Sequence, residues 1–188
     1  VLNILSNASA VIAEGEVMQL GTKGNIGVTE DTYLKIVAAK TAALFAAAAE
    51  SGAVVAQSDG LREMALKTYG HNLGIAFQLV DDALDYSGRE AMMGKAVGDD
   101  FREGKLTLPV ILALGVASSE EADFWRRTMV HHDQSDADLT HAIHLIDKHH
   151  AISATIARAR QFTEEACRAL NVFPDSPMRR ALNDLAEF

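Results

Sequence analysis

Apolar residues recur at three- and four-residue intervals along most of this chain, the period of helices with one face in a core. The pattern predicts helices over residues 2–20, 31–57, 60–86, 107–116, 119–130, 136–149 and 152–170, with a short one after Pro177. Gly21, Gly24 and Gly27 punctuate the first turn, and Thr29 or Asp31 stands where a helix cap is needed. Residues 88–104 break the period. Glycines there are interspersed with Lys95, Asp99, Asp100 and Glu103, so a charged loop is expected. Runs of Val, Ile, Thr and Tyr bounded by turn residues, the signature of strands, are missing. The expectation is therefore an all-α fold, with residues 1–188 forming one helical domain. Val1 already lies inside the first helical pattern, without an initiating Met, a cap or a turn, so the sequence reads as part of a longer chain.

Composition narrows the classes. With 188 residues, 48% of them hydrophobic, the chain is long enough to bury a sizeable core. Its net charge of −9 repels phosphodiester backbones, so nucleic acid is not an expected partner, whereas a diphosphate remains reachable through a cation. The lone Cys167 sits in a helical pattern and reads as a packing residue. Residues 1–20 lack a basic start and carry Glu14 and Glu16, while the apolar run 38–56 is interrupted by Lys40 and Glu50. Neither reads as a signal or a membrane span, which leaves the cytoplasm as the expected compartment.

Candidate chemistry starts at residues 71–86, HNLGIAFQLVDDALDY. On a helix, Gly74, Gln78, Asp81, Asp82 and Asp85 fall within an arc of roughly 100°, and the apolar residues take the rest. A solvated face usually mixes acids with bases, yet no Lys or Arg lies between Thr68 and Gly88. Three aspartates near a helix C-terminus oppose the macrodipole and cost ~1 to 2 kcal/mol locally. A divalent cation offsets that cost, and Mg²⁺ suits one or two carboxylates completed by water and phosphate oxygens. Spacing alone leaves a Mg²⁺ site and a surface acidic patch both open.

Lysines answer this charge elsewhere. In residues 36–49, IVAAKTAALFAAAA, Lys40 and Thr41 are the strongly polar side chains, and Lys40 either snorkels or meets an anion. Gly94-Lys95 and Gly104-Lys105 each set an ammonium beside a glycine, where a phosphate can approach the backbone. Six of the seven histidines fall between His131 and His150. His141 with His144 could bind a transition metal, and a polar surface helix explains them equally. Met92 and Met93 read as loop packing.

Three ordered segments, AAKTAALF from Ala38, GIAFQLVDDALDY from Gly74 and GKAVGDDFREGKLTLP from Gly94, together resemble the trans-type isoprenyl diphosphate synthases. They match that family's Lys-Thr helix, second aspartate-rich motif and following lysine loop, and the stretch from Glu14 to Leu20 resembles the preceding helix. Long-chain members, octaprenyl or decaprenyl synthases, look nearest. The resemblance implies a helical bundle of the isoprenoid-synthase type, lacking its N-terminal helices. It also implies a Mg²⁺-dependent condensation of an allylic isoprenyl diphosphate with isopentenyl diphosphate, which lengthens a polyprenyl chain and releases diphosphate.

Carried over by position, Asp81 would hold the metal, with Asp82 and Asp85 ligating it or its water shell. Lys40 and Lys95 would contact the allylic diphosphate, and Lys105 would support that charge or the loop. Thr41 and Gln78 would present oxygen dipoles to the developing cation, and Phe77 would border the isopentenyl site. Each has a plainer reading: Gln78 bonding a neighbouring helix, Thr41 bonding back to Val37, Phe77 filling the core. The family's first DDxxD, the arginines after it and an N-terminal Gly-Lys-x-x-Arg are absent from these residues. The expected chain is thus the C-terminal portion of such an enzyme, with little turnover alone and, as is common in the family, a homodimer. A non-catalytic interaction subunit and, less favoured, a terpene cyclase are the alternatives.

Overall fold

The computed structural model describes residues 1–87 and 97–187, which contain helices and no strand. In chain order they form α1 (Leu2–Thr22), α2 (Glu30–Val37), a π turn (Ala38–Ala42), α3 (Ala43–Val55), α4 (Gly60–Asp85) and α5 (Asp99–Arg102). There follow α6 (Leu108–Gly115), α7 (Ser119–Trp125), a second π turn (Arg126–Val130), α8 (Asp136–Lys148), α9 (Ala151–Ala169) and α10 (Pro177–Glu187). Local chemistry accounts for most starts. Thr29 Oγ1 accepts the Thr32 N–H at 3.2 Å ahead of α2, and Asp59 Oδ1 accepts the Arg62 N–H at 2.9 Å ahead of α4. Ser118 with Glu121, and Ser135 with Asp138, close reciprocal capping boxes at α7 and α8.

Three features depart from expectation, one of them the second π turn, which lies within the predicted helix 119–130. The helix predicted over residues 31–57 carries a π turn at its Lys-Thr pair, and the predicted loop contains the short helix α5. Alanine-rich sequence tolerates either winding because its small side chains carry little phase information. Helix α5 draws its N-terminal partner from Asp85, 14 residues before Asp99, which no local pattern discloses.

The chain divides into two compact units. The first comprises Val1–Met18, Leu34–Gln78 and Arg158–Phe188. Tyr69, Ala166, Leu170 and Ala186 form a core there, with Leu66, Leu73 and Leu182 packed against it. The Tyr69 hydroxyl donates to the Leu182 carbonyl at 2.8 Å. Glycines let backbones meet: a Cβ at Gly70 would lie 2.4 Å from the Phe45 carbonyl oxygen, and one at Gly15 would lie 2.8 Å from the Lys40 nitrogen.

The second unit comprises Gln19–Tyr33 and Leu79–Ala157. Its core holds Phe101, Val110, Trp125, Met129, Leu145 and Ile146. The run Glu30–Val55 is long and apolar enough, by length and composition, to cross a membrane, and a third of its apolar window (33%) is buried in the protein. It overlaps the run 38–56, set aside as a span on the sequence because Lys40 and Glu50 interrupt it.

Candidate active site

The last turns of α4 bury two acids beside the apolar Leu79 and Ala83. Asp82 and Asp85 are buried, at 3% and 6% exposure, whereas Phe77 and Val80 stand 56% and 38% exposed on the same helix. Carboxylates are rarely turned inward unless something holds them. In the second unit that something is specific. The Tyr33 hydroxyl, itself buried, donates to Asp82 Oδ2 at 2.5 Å. Asp85 accepts the N–H groups of Asp99 and Asp100, one on each carboxylate oxygen, both at 3.1 Å, and its carbonyl accepts the Gly98 N–H at 2.9 Å. The carboxylate thus caps α5 and ties the aspartate stripe to the segment leading to Lys105.

Charge in this region is dense and unbalanced. Burial first, and then Asp82, Asp100 and Asp81, push the Tyr33 phenol far above its ordinary range, which keeps its proton in place for donation. Burial, with Asp100, Asp85 and Asp82 adding to it, does the same to Tyr86. Lys105 pairs with Asp100 at 3.0 Å and Glu103 at 2.8 Å. Partial burial opposes the ammonium, but those hydrogen bonds and charges outweigh it and raise its pKa. Lys105 therefore ties α5 to the turn that follows it.

The first unit carries the other predicted residues. Thr41 Oγ1 donates to Gln78 Oε1 at 3.0 Å, so the two expected dipoles meet each other, and Gln78 does bond a neighbouring helix. Lys40 pairs with Glu16 at 3.1 Å, the close approach at Gly15 bringing α1 beside the π turn. Phe77 does not fill a core. It stacks obliquely on Phe45, with ring centroids 5.5 Å apart at 37°, leaving an aromatic pair open to solvent. Lys95, with Met92 and Met93, lies outside the described residues.

Three participants escaped the sequence reading: Tyr33, Glu16 and Phe45. Each faces a predicted residue from a distant part of the chain, and only the adjacency of Glu16 to a glycine hinted at contact. His141 packs edge-on against Phe124, with ring centroids 4.6 Å apart, and the His144 ring lies 6.4 Å from that of His141. Among the described residues no three His, Cys, Asp or Glu side chains are gathered as a ready metal cage. The oxygen donors on α4 still fit Mg²⁺, a hard cation that uses few carboxylates and completes its shell with water and phosphate. The observation behind that fit is a buried Asp82 with a second acid, Asp81, beside it and one phenol donor facing it. A closed transition-metal site would need more protein ligands.

Comparison with known proteins adds identity. The family model for polyprenyl synthetase matches residues 1–146. An octaprenyl diphosphate synthase of Escherichia coli is 39% identical over 186 residues, covering 99% of this chain and 57% of that protein. The crystal structure of a decaprenyl diphosphate synthase from Rhodobacter capsulatus superposes with a TM-score of 0.93 at 50% identity, covering 99% of this chain and 57% of that one. A polyprenyl synthase from Caulobacter crescentus, solved in complex with calcium and isoprenyl diphosphate, gives a TM-score of 0.96 at 49% identity, covering 100% of this chain and 57% of that one. The chain spans a little over half the length of the curated relatives it matches. With its all-α fold and its ordered Lys-Thr and aspartate segments, the chain belongs to the polyprenyl synthetase family.

Proposed function

We propose that these residues form the second-aspartate-motif half of a trans-polyprenyl diphosphate synthase of the long-chain class. The whole enzyme would join an allylic isoprenyl diphosphate to isopentenyl diphosphate, lengthening a polyprenyl chain by one unit and releasing diphosphate. The observation that carries this reading is the pair of inward-turned acids on α4, Asp82 and Asp85, each held by hydrogen-bond donors, with Asp81 half-buried beside them. Membership of the family and the calcium-bound, isoprenyl diphosphate-bound relative support it.

Asp81 would lead in holding Mg²⁺, with Asp82 and Asp85 ligating it or ordering its water. Bound there, Mg²⁺ would withdraw charge from the departing diphosphate. Lys40 would bind the allylic diphosphate by exchanging Glu16 for phosphate oxygens. That exchange is cheap, because an exposed ion pair is worth only about 0.2–1 kcal/mol. Lys95 would add a second cation, and Lys105 would keep α5 and the loop in place. The Thr41–Gln78 pair would turn oxygen dipoles toward positive charge on the allylic carbon, and Phe77 would border the isopentenyl group. The reading also takes the protein to act in the cytoplasm as a homodimer, and these 188 residues to bind substrate while turning over little of it.

Calorimetric titration with a non-hydrolysable isoprenyl diphosphate analogue, with and without Mg²⁺, tests this. Binding is expected to require Mg²⁺ and to weaken at least tenfold in Asp81→Ala and in Lys40→Ala. Binding by the folded chain that ignores Mg²⁺, or no binding at all, would transfer support to a non-catalytic interaction subunit.

A further inference from the structure

We infer that Tyr33 is a positioning residue for the aspartate motif: its hydroxyl fixes the orientation of the Asp82 carboxylate and so sets how tightly the motif holds a divalent cation. The inference rests on the reading of Asp81, Asp82 and Asp85 as a Mg²⁺ site. Its grounds lie within the second unit. Tyr33 comes from α2, 49 residues before its acceptor, and donates to Asp82 Oδ2 at 2.5 Å. Both groups are buried, Tyr33 at 6% and Asp82 at 3% exposure, so bulk water is largely kept from substituting for the phenol.

A carboxylate carries two oxygens, and a hydrogen bond to one of them settles the rotation that decides where the other points. Groups that hydrogen-bond to metal ligands in this way commonly govern affinity as strongly as some ligands do. Asp85 is anchored independently by the N–H groups of Asp99 and Asp100. Two of the three aspartates are therefore oriented by separate parts of the chain, one from upstream and one from downstream. Phenylalanine fills the same space without the donor, so the two roles of Tyr33, filling space and holding Asp82, can be separated.

The test is thermal unfolding of the full 188-residue chain over a Mg²⁺ series at fixed inorganic diphosphate. Wild-type protein is expected to unfold at higher temperature as Mg²⁺ rises, by linkage of binding to folding. In Tyr33→Phe the Mg²⁺ concentration giving half of that rise should increase roughly tenfold. In an Asp82→Asn background, Tyr33→Phe should add nothing to the Mg²⁺ dependence. A purely structural Tyr33 would lower the unfolding temperature equally at every Mg²⁺ concentration and leave the half-point unchanged, which overturns the inference. If wild-type protein shows no Mg²⁺-linked rise, the metal-site reading itself fails and takes this inference with it. Should Tyr33→Phe not fold, wild-type chain labelled with ¹³C at tyrosine Cζ carries the test. The Tyr33 resonance should shift along the same Mg²⁺ curve, and a resonance that stays put while the thermal rise saturates contradicts the role.

Discussion

Single carboxylates do very different work in this molecule according to which donors face them. Glu121 closes the capping box of α7 with Ser118 and also receives Lys148 Nζ at 2.6 Å and His149 Nε2 at 2.9 Å. The Lys148 hydrogen bond foremost, then the Ser118 N–H and His149, pull its carboxyl from 4.5 down to about 2. A depressed carboxyl stabilises the fold above its ordinary pKa, and that contribution disappears as pH falls through the folded value. Glu121→Gln should therefore lower the urea midpoint near neutral pH. Its difference from wild type should shrink between pH 4.5 and about 2, and a difference that persists below pH 2 would refute the assignment. The sequence disclosed Asp81, Asp82 and Asp85 because they share one helix face, but not the partners that decide their behaviour. Tyr33 and Asp82 meet across 49 residues, a separation at which periodicity is silent.

Helices α1 and α4 meet the π turn and α3 through glycines, and this is where steric cost and helix propensity pull in opposite directions. Gly70→Ala would gain up to about 1 kcal/mol of propensity. Its new Cβ, however, would sit 2.4 Å from the Phe45 carbonyl oxygen and 2.9 Å from the Ala46 Cα, backbone atoms that cannot swing aside. Overpacking of about 1–3 kcal/mol should win, so the variant should unfold at lower urea. Gly52→Ala in α3, with nothing within 4 Å, should instead stabilise by about 0.5–1 kcal/mol. Equal effects at the two sites would contradict the packing described here. Most element boundaries were legible because caps and prolines are local: Thr29, Asp59, Ser118, Ser135 and Pro177 all mark helix starts. The π turn and α5 were not, since alanines hide helical phase and the cap of α5 is supplied by Asp85.

Across the molecule, α4 is one unbroken helix that serves both compact units. It supplies Leu66, Tyr69 and Leu73 to one core, and Tyr86, the residue after its last turn, lies in the other. Two natural probes report on them separately. Trp125, the only tryptophan, is fully buried in the second unit, and Cys167, the only cysteine, packs against the core of the first. Because a helix interior melts cooperatively, loss of Trp125 fluorescence and gain of Cys167 reactivity toward a thiol reagent should share one urea midpoint. Two separated midpoints would show that α4 breaks between the units. The π turn sets the helical phase of α2 against that of α3 along residues 30–55. One residue more or less in a helix rotates everything on one side of it by about 100° relative to the other. Exchanging one small residue for another among Ala38, Ala39 and Ala42 leaves that phase alone. Deleting the codon for Ala38 or Ala39 would restore a plain α-helix and turn α2, with Tyr33 on it, by that angle away from Asp82. Within this stretch, selection is expected to tolerate spelling changes and to punish a change in length.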